Sequence, residues 1–177
     1  MNLLFRLLHV LLFSRFRSRV GIMDECATPF RVWPTDLDVL RHMNNGIYLS
    51  LQDLARTDYM IRAQAAGAIA SEGWYPVVAS ETIRFRRSLK VFQKFHLHTR
   101  LITWDDKYLY LEHKFTSRGD LIAIGMIRAR FLSKKGGTVT PAELMKAVGE
   151  NLTAPAMPEY LQSWINADQG QSKAAGV

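Results

Sequence analysis

Between Ile47 and Leu132 the apolar period changes once, from helical to alternating, and that change limits the fold more than any other feature of the chain. Ile47, Leu51, Leu54, Ala55 and Tyr59 recur at the spacing of one helix face, which predicts a helix over 47–66. Asp53, Arg56 and Arg62 mark its wetter side, and Asp58 and Arg62 stand four apart as a pair worth only a few tenths of a kcal/mol. Asn44 or Asn45 can cap the start, and Gly67 can end the helix in a left-handed turn. About 20 helical residues measure roughly 30 Å, enough for the central element of a small domain. A short strand over 28–33, stopped by Pro34, precedes it.

After a break at Gly73-Trp74-Tyr75-Pro76, Ala79, Glu81, Ile83 and Phe85 alternate with Ser80, Thr82, Arg84 and Arg86. Alternation continues over 95–103, 108–116 and 121–132, with turns at Asp105-Asp106 and Arg118-Gly119-Asp120. One helix followed by an antiparallel meander predicts an α+β fold in which the sheet wraps the helix. Past Gly136-Gly137 the pattern breaks into short helices over 141–148 and 158–165, then a polar tail from Asn166. The chain therefore divides into a leader (1–24), a main body (25–140) and a C-terminal part (141–177).

The charge of +7 first suggests a nucleic-acid partner, but its distribution argues otherwise. Arg6, Arg15, Arg17 and Arg19 all precede the first acid, Asp24, and the rest of the chain has an ordinary balance with no zinc-finger spacing or basic helix. The leader run from Leu3 to Phe13 is shorter than the roughly 20 apolar residues that span a bilayer. It is also unlike a secretory signal, because its positive charges come after the apolar run. Two readings remain: an interfacial helix over residues 1–19 whose arginines reach anionic headgroups, or a helix packed on the domain or a second subunit. Arg6 and His9 favour the first, which places the chain in the cytoplasm, peripheral at the inner membrane face. The single cysteine, Cys26, forms no internal disulfide and reads as a buried thiol.

Chemistry concentrates in one stretch, Asp36-Leu37-Asp38-Val39-Leu40-Arg41-His42-Met43-Asn44-Asn45-Gly46-Ile47-Tyr48. A carboxylate beside a helix start lies near unpaired backbone N–H groups and the positive end of the helix dipole. Such a pair suits attack on a carbonyl, with the N–H groups holding the oxyanion. Residue types alone favour the plainer role, in which Asp36 and Asp38 cap and solvate a loop. No Gly-x-Ser-x-Gly elbow is present. His96 and His98 share a strand face but lack the further ligands of a metal site, so no metal or cofactor is expected.

The pattern D-x-D-x-x-x-H-x-N-N-x-x-Y followed by Ala55-Arg56 resembles the signature of hotdog-fold acyl-thioester hydrolases, the 4-hydroxybenzoyl-CoA thioesterase-like group. Arg86-Arg87-Ser88-Leu89, Trp104-Asp105-Asp106, Tyr110-Leu111-Glu112 and Leu161-Gln162-x-Trp164-Ile165 resemble the thioesterase superfamily member 6-like branch. The resemblance implies a hotdog fold and an acyl-CoA thioesterase, with Asp38 as catalytic carboxylate, either nucleophile or general base. It implies that Asp36 shapes the loop and lines the substrate site with the motif tyrosine, Tyr48. Backbone N–H groups near Asn45 and Gly46 would polarise the thioester carbonyl. His42 matches a histidine of plant acyl-carrier-protein thioesterases, which pair it with an asparagine two residues earlier, where this chain has Leu40. Its roles are to orient the carboxylate or to hold the loop.

Some relatives carry the carboxylate on the central helix or the next strand, where Asp53, Asp58 and Glu81 are available. Arg84, Arg86 and Arg87, with Lys90, Lys134 and Lys135, are candidate contacts for CoA phosphates or else a solvated strand edge. The resemblance further implies a homodimer or a dimer of dimers with the site at the subunit boundary. The rival class is a non-catalytic acyl-lipid-binding or membrane-associated hotdog protein. A hotdog dehydratase fits less well, since its histidine-containing loop is not visible.

Overall fold

The computed structural model describes residues 3–176. A helix, α1 (Leu3–Phe13), leads into β1 (Cys26–Arg31), and the long helix α2 (Asn45–Arg62) is followed by α3 (Ala65–Ser71). Four strands come next: β2 (Trp74–Phe85), β3 (Lys94–Trp104), β4 (Leu109–Ser117) and β5 (Asp120–Ser133). The chain closes with β6 (Thr138–Val139), α4 (Pro141–Ala147) and α5 (Glu159–Ala174).

The sheet is antiparallel in the order β1-β3-β4-β5-β2, with β6 beside β5. Register slips at Val78/Ser80, Leu101/Thr103 and Phe115/Thr116 bend the strands, and the sheet curls round α2. The α+β layout expected from the period change is present, an antiparallel sheet around one central helix, although β2 pairs with β5 rather than with the next strand. Under the first half of α2, Tyr48, Leu51, Leu54 and Ala55 pack on Phe95, Leu97 and Phe115. Under its second half, Tyr59 joins Leu101, Leu111, Ile127 and Phe131, closed by Ile69 of α3 and Leu144 of α4. Burying one such side chain contributes roughly 1.5–3 kcal/mol, so these two layers supply most of the driving force.

Several local expectations differ. Gly67 lies inside α3 and does not end the central helix. That helix stops at Arg62, where Gln64 turns left-handed at φ 60° and the leader returns to donate Val20 N–H to Arg62 C=O at 3.2 Å. A tertiary contact therefore does what a glycine was expected to do. Asp58 and Arg62 are not a surface pair. Asp58 is fully buried, and its Oδ2 accepts from Thr28 Oγ1 at 2.6 Å and Arg17 Nη1 at 2.5 Å, with Arg62 3.6 Å away.

The break at residues 73–76 is the start of β2, which carries Pro76 because its outer edge needs no backbone donor. The polar stretch after Asn166 continues α5, whose Leu161 and Ile165 pack with Tyr110 on the outer face of the sheet. Arg128 anchors this helix through Asp168 at 2.8 Å. Val177 of the expected tail, and Met1 and Asn2 of the leader, lie outside the described residues.

Candidate active site

The loop before α2 is a tight hairpin built on its own acids. Leu37 bridges Met43, Asp38 N–H donates to His42 C=O at 2.9 Å, and Arg41 takes a left-handed φ of 61°. Asp38 Oδ1 accepts from Leu40 N–H at 2.9 Å and from His42 N–H at 3.1 Å, so the half-buried carboxylate is held in one orientation. The His42 side chain is exposed. Asp36 is buried, and its Oδ2 accepts from Trp33 N–H at 2.7 Å and from the Arg6 guanidinium of α1. Its backbone carbonyl takes Asn44 N–H at 2.8 Å, which fixes the loop against the helix start.

Asn44 caps α2 through Gly46 N–H at 2.9 Å. The Gly46 donor is thus engaged by the cap, whereas the first helical N–H, that of Asn45, has no carbonyl four residues earlier within the helix. Tyr48 is buried edge-on to Phe85, with centroids 5.0 Å apart, and its hydroxyl meets the Leu89 backbone. Burial raises its pKa above the ordinary tyrosine value. Arg84, Arg86 and Arg87 are exposed on and just past β2, and Arg87 pairs with Asp120.

A cavity of about 310 Å³ opens between α2, α3, α4 and the sheet. Its walls are apolar, among them Tyr59, Ile69, Leu101, Leu111, Phe131 and Leu144. Asp53, Arg56 and Thr57 line it from α2, and Pro76, Val77 and Val78 line it from the edge strand β2. Asp53 is its single carboxylate among the described residues and pairs with Arg56. Asp38 does not line this cavity.

Behind Arg56 lies a group of residues that no sequence motif announced. His113 is fully buried on β4, with Nε2 3.4 Å from Arg56 Nη1 and Nδ1 3.1 Å from Thr99 Oγ1. A guanidinium only donates, so Nε2 accepts and Nδ1–H points to the threonine. Burial, then the Arg56 charge, pushes the imidazole pKa well below its usual value and keeps it neutral. Thr99, His113 and Gly125 are successive partners across β3, β4 and β5. The fully buried Gln52 lies against Gly125 with both amide atoms unpartnered. A subtler signal was visible: Thr99 and His113 interrupt the otherwise apolar inward rows Phe95, Leu97, Leu101 and Leu109, Leu111, Phe115.

Cys26 is buried, and desolvation, reinforced by Asp58, pushes its thiol up to about 11, which keeps it protonated at neutral pH. His98 of the outer face pairs with Glu25 at 2.7 Å. Among the described residues no group of three or more His, Cys, Asp or Glu is placed to hold a metal ion.

A curled antiparallel sheet wrapped on one helix, with an aspartate hairpin at the helix start and an apolar cavity between the layers, is the architecture of hotdog-fold thioesterases. The chain belongs to the thioesterase-like superfamily, whose family model matches residues 32–165. It is 35% identical over 144 residues to Protein THEM6 of Xenopus laevis, covering 80% of this chain and 68% of that protein. Protein THEM6 of Danio rerio is 33% identical over 162 residues, covering 90% of this chain and 78% of that one. Among solved structures, the YbaW probable thioesterase from Escherichia coli superposes with a TM-score of 0.64 at 22% identity, over 69% of this chain and 95% of its own. The BH1999 gentisyl-coenzyme A thioesterase superposes with a TM-score of 0.59 at 19% identity, over 68% and 99%. Fold and family are those of thioester hydrolases.

Proposed function

We propose that the protein hydrolyses an acyl-CoA thioester, with Asp38 as nucleophile or general base and the start of α2 as oxyanion hole. The observation that carries this reading is the orientation of Asp38. Two backbone N–H groups hold Oδ1, which leaves Oδ2 for the thioester carbon or for a water. His42 and Asp36 support the carboxylate from either side in sequence, one through its backbone and one by tying the loop to Asn44. Asn45 N–H takes the carbonyl oxygen, joined by Gly46 N–H once the Asn44 cap releases it. The acyl chain occupies the apolar cavity under α2, whose 310 Å³ lies at the small end of ligand pockets, about 300–1,000 Å³. Arg84, Arg86 and Arg87 take CoA phosphates, with Tyr48 packing the floor of the site.

The working unit is a homodimer joined along β2. That strand is an unpaired edge with Tyr75, Val78 and Phe85 exposed, and its residues 76–78 also line the cavity. A second copy there completes the walls of the site. A second catalytic reading is favoured by one observation: Asp53, not Asp38, borders the cavity.

Hydrolysis of a panel of acyl-CoAs, monitored by thiol release, separates the two. Asp38→Asn is expected to lower turnover by at least about 10²-fold, within the range of general-base catalysis, while Asp53→Asn leaves it within a few-fold. Equal turnover of Asp38→Asn and wild type dismisses Asp38, and loss in Asp53→Asn alone moves the carboxylate to α2. Saturable acyl-CoA binding without hydrolysis would favour a lipid-binding role for the fold.

A further inference from the structure

The helix α1 is built the wrong way round for a surface helix facing water. Its inward side carries its only arginine: Arg6 is 3% exposed, beside buried Val10 and ahead of buried Ser14. Its outward side is apolar. Phe5, Leu8, Leu11 and Leu12 fall within an arc of about 120° at 100° per residue, opposite Arg6 and Val10. All four are exposed, and so are Phe13 and Phe16, the latter 87% exposed. Large apolar side chains exposed together on one helix face mark an interaction site.

Charge beside this face indicates what covers it. A groove of about 520 Å³ runs between α1 and β1, walled by Val10, Phe13, Phe30 and Trp33. Arg6, His9, Arg17, Arg31 and Lys94 also line it, and no acid does among the described residues. Arg6 pairs with Asp36, and Arg17 shares Asp58 with Arg62. Arg31 and Lys94 face each other across β1 and β3, and neither has an ion pair among the described residues. Arg15 and Arg19, further along the leader, are also exposed.

A second copy meeting this face across a two-fold axis would set these cations against each other. An anionic surface neutralises them. No helix among the described residues is long and apolar enough to cross a membrane. The 11 described residues of α1 reach about 16 Å, half a hydrocarbon core, a length suited to lying in an interface.

We propose that the outer face of α1 and the adjoining groove dock the protein on an anionic phospholipid bilayer, with lipid phosphate received by Arg31 and Lys94. The proposal stands whichever aspartate performs hydrolysis.

The test is co-sedimentation of the full chain with vesicles of phosphatidylcholine alone and of phosphatidylcholine with phosphatidylglycerol. Wild type is expected to bind the anionic vesicles, and more weakly as salt rises. Leu8→Glu/Leu12→Glu is expected to lose binding at least about tenfold, with its melting temperature and its hydrolysis of soluble acyl-CoA unchanged. Arg31→Glu/Lys94→Glu is expected to lose the preference for anionic vesicles and its salt dependence. Wild type that ignores anionic vesicles overturns the proposal, as do variants that bind like wild type. A drop in oligomer size in Leu8→Glu/Leu12→Glu, without vesicle binding by wild type, assigns the face to a second copy instead.

Discussion

Replacing Asp36 by Asn tests whether this aspartate serves the fold or the substrate. Asp36 and Arg6 are each 3% exposed and form an ion pair. Besides the carboxylate, the guanidinium reaches the Arg31 carbonyl at 3.3 Å. Asparagine keeps an oxygen for Trp33 N–H, so the change isolates the charge and leaves that hydrogen bond in place. Breaking a buried pair by neutralising one partner leaves an uncompensated charge and costs about 3–5 kcal/mol. A domain of this size holds about 5–15 kcal/mol in all, so the loss is a large fraction of its stability. At about 2–4 °C per kcal/mol, the melting temperature should fall by about 10 °C. Arg6→Met should cost a similar amount, because it strands the carboxylate. The double variant Arg6→Met/Asp36→Asn should recover most of the loss, giving a coupling of at least about 2 kcal/mol in a urea-denaturation cycle. If Asp36→Asn instead changes stability by less than about 1 kcal/mol while turnover collapses, Asp36 works on substrate and the reasoning from burial fails.

The remaining expectations lie along the polar row under α2. His113 is neutral when folded, so below the unfolded-chain pKa of about 6.5 the unfolded state binds the extra proton. Stability should therefore be full above that pH and fall by up to about 1.4 kcal/mol per unit below it, a slope that His113→Phe should flatten in pH-dependent denaturation. Gly125→Ala would put a Cβ 2.9 Å from Thr82 C=O, and should destabilise by about 1–3 kcal/mol in thermal melts; an unchanged melting temperature would mean that β2 yields freely. Gln52→Met removes an amide whose two polar atoms are buried without partners, and should stabilise by about 1 kcal/mol without slowing hydrolysis; slowed hydrolysis would place Gln52 against substrate.

The change of period between Ile47 and Leu132 was enough to determine one helix and a wrapped antiparallel sheet, because both periods are written in neighbouring residues. The aspartate motif before the helix was legible as a loop, but its closure into a hairpin through Asp38 and His42 was not. Tertiary structure alone decided which charges face inward. Arg6, Arg62 and Asp58 look like surface residues in sequence. They are buried because Asp36, Ser18, Thr28 and Arg17, distant along the chain, satisfy them. It likewise decided that α2 ends where the leader returns, that Asn166 continues a helix lying on the outer sheet face, and that Asp53 rather than Asp38 borders the cavity. A residue carries its own periodicity and capping chemistry, but the partner that makes burying a charge tolerable is supplied only when distant segments meet.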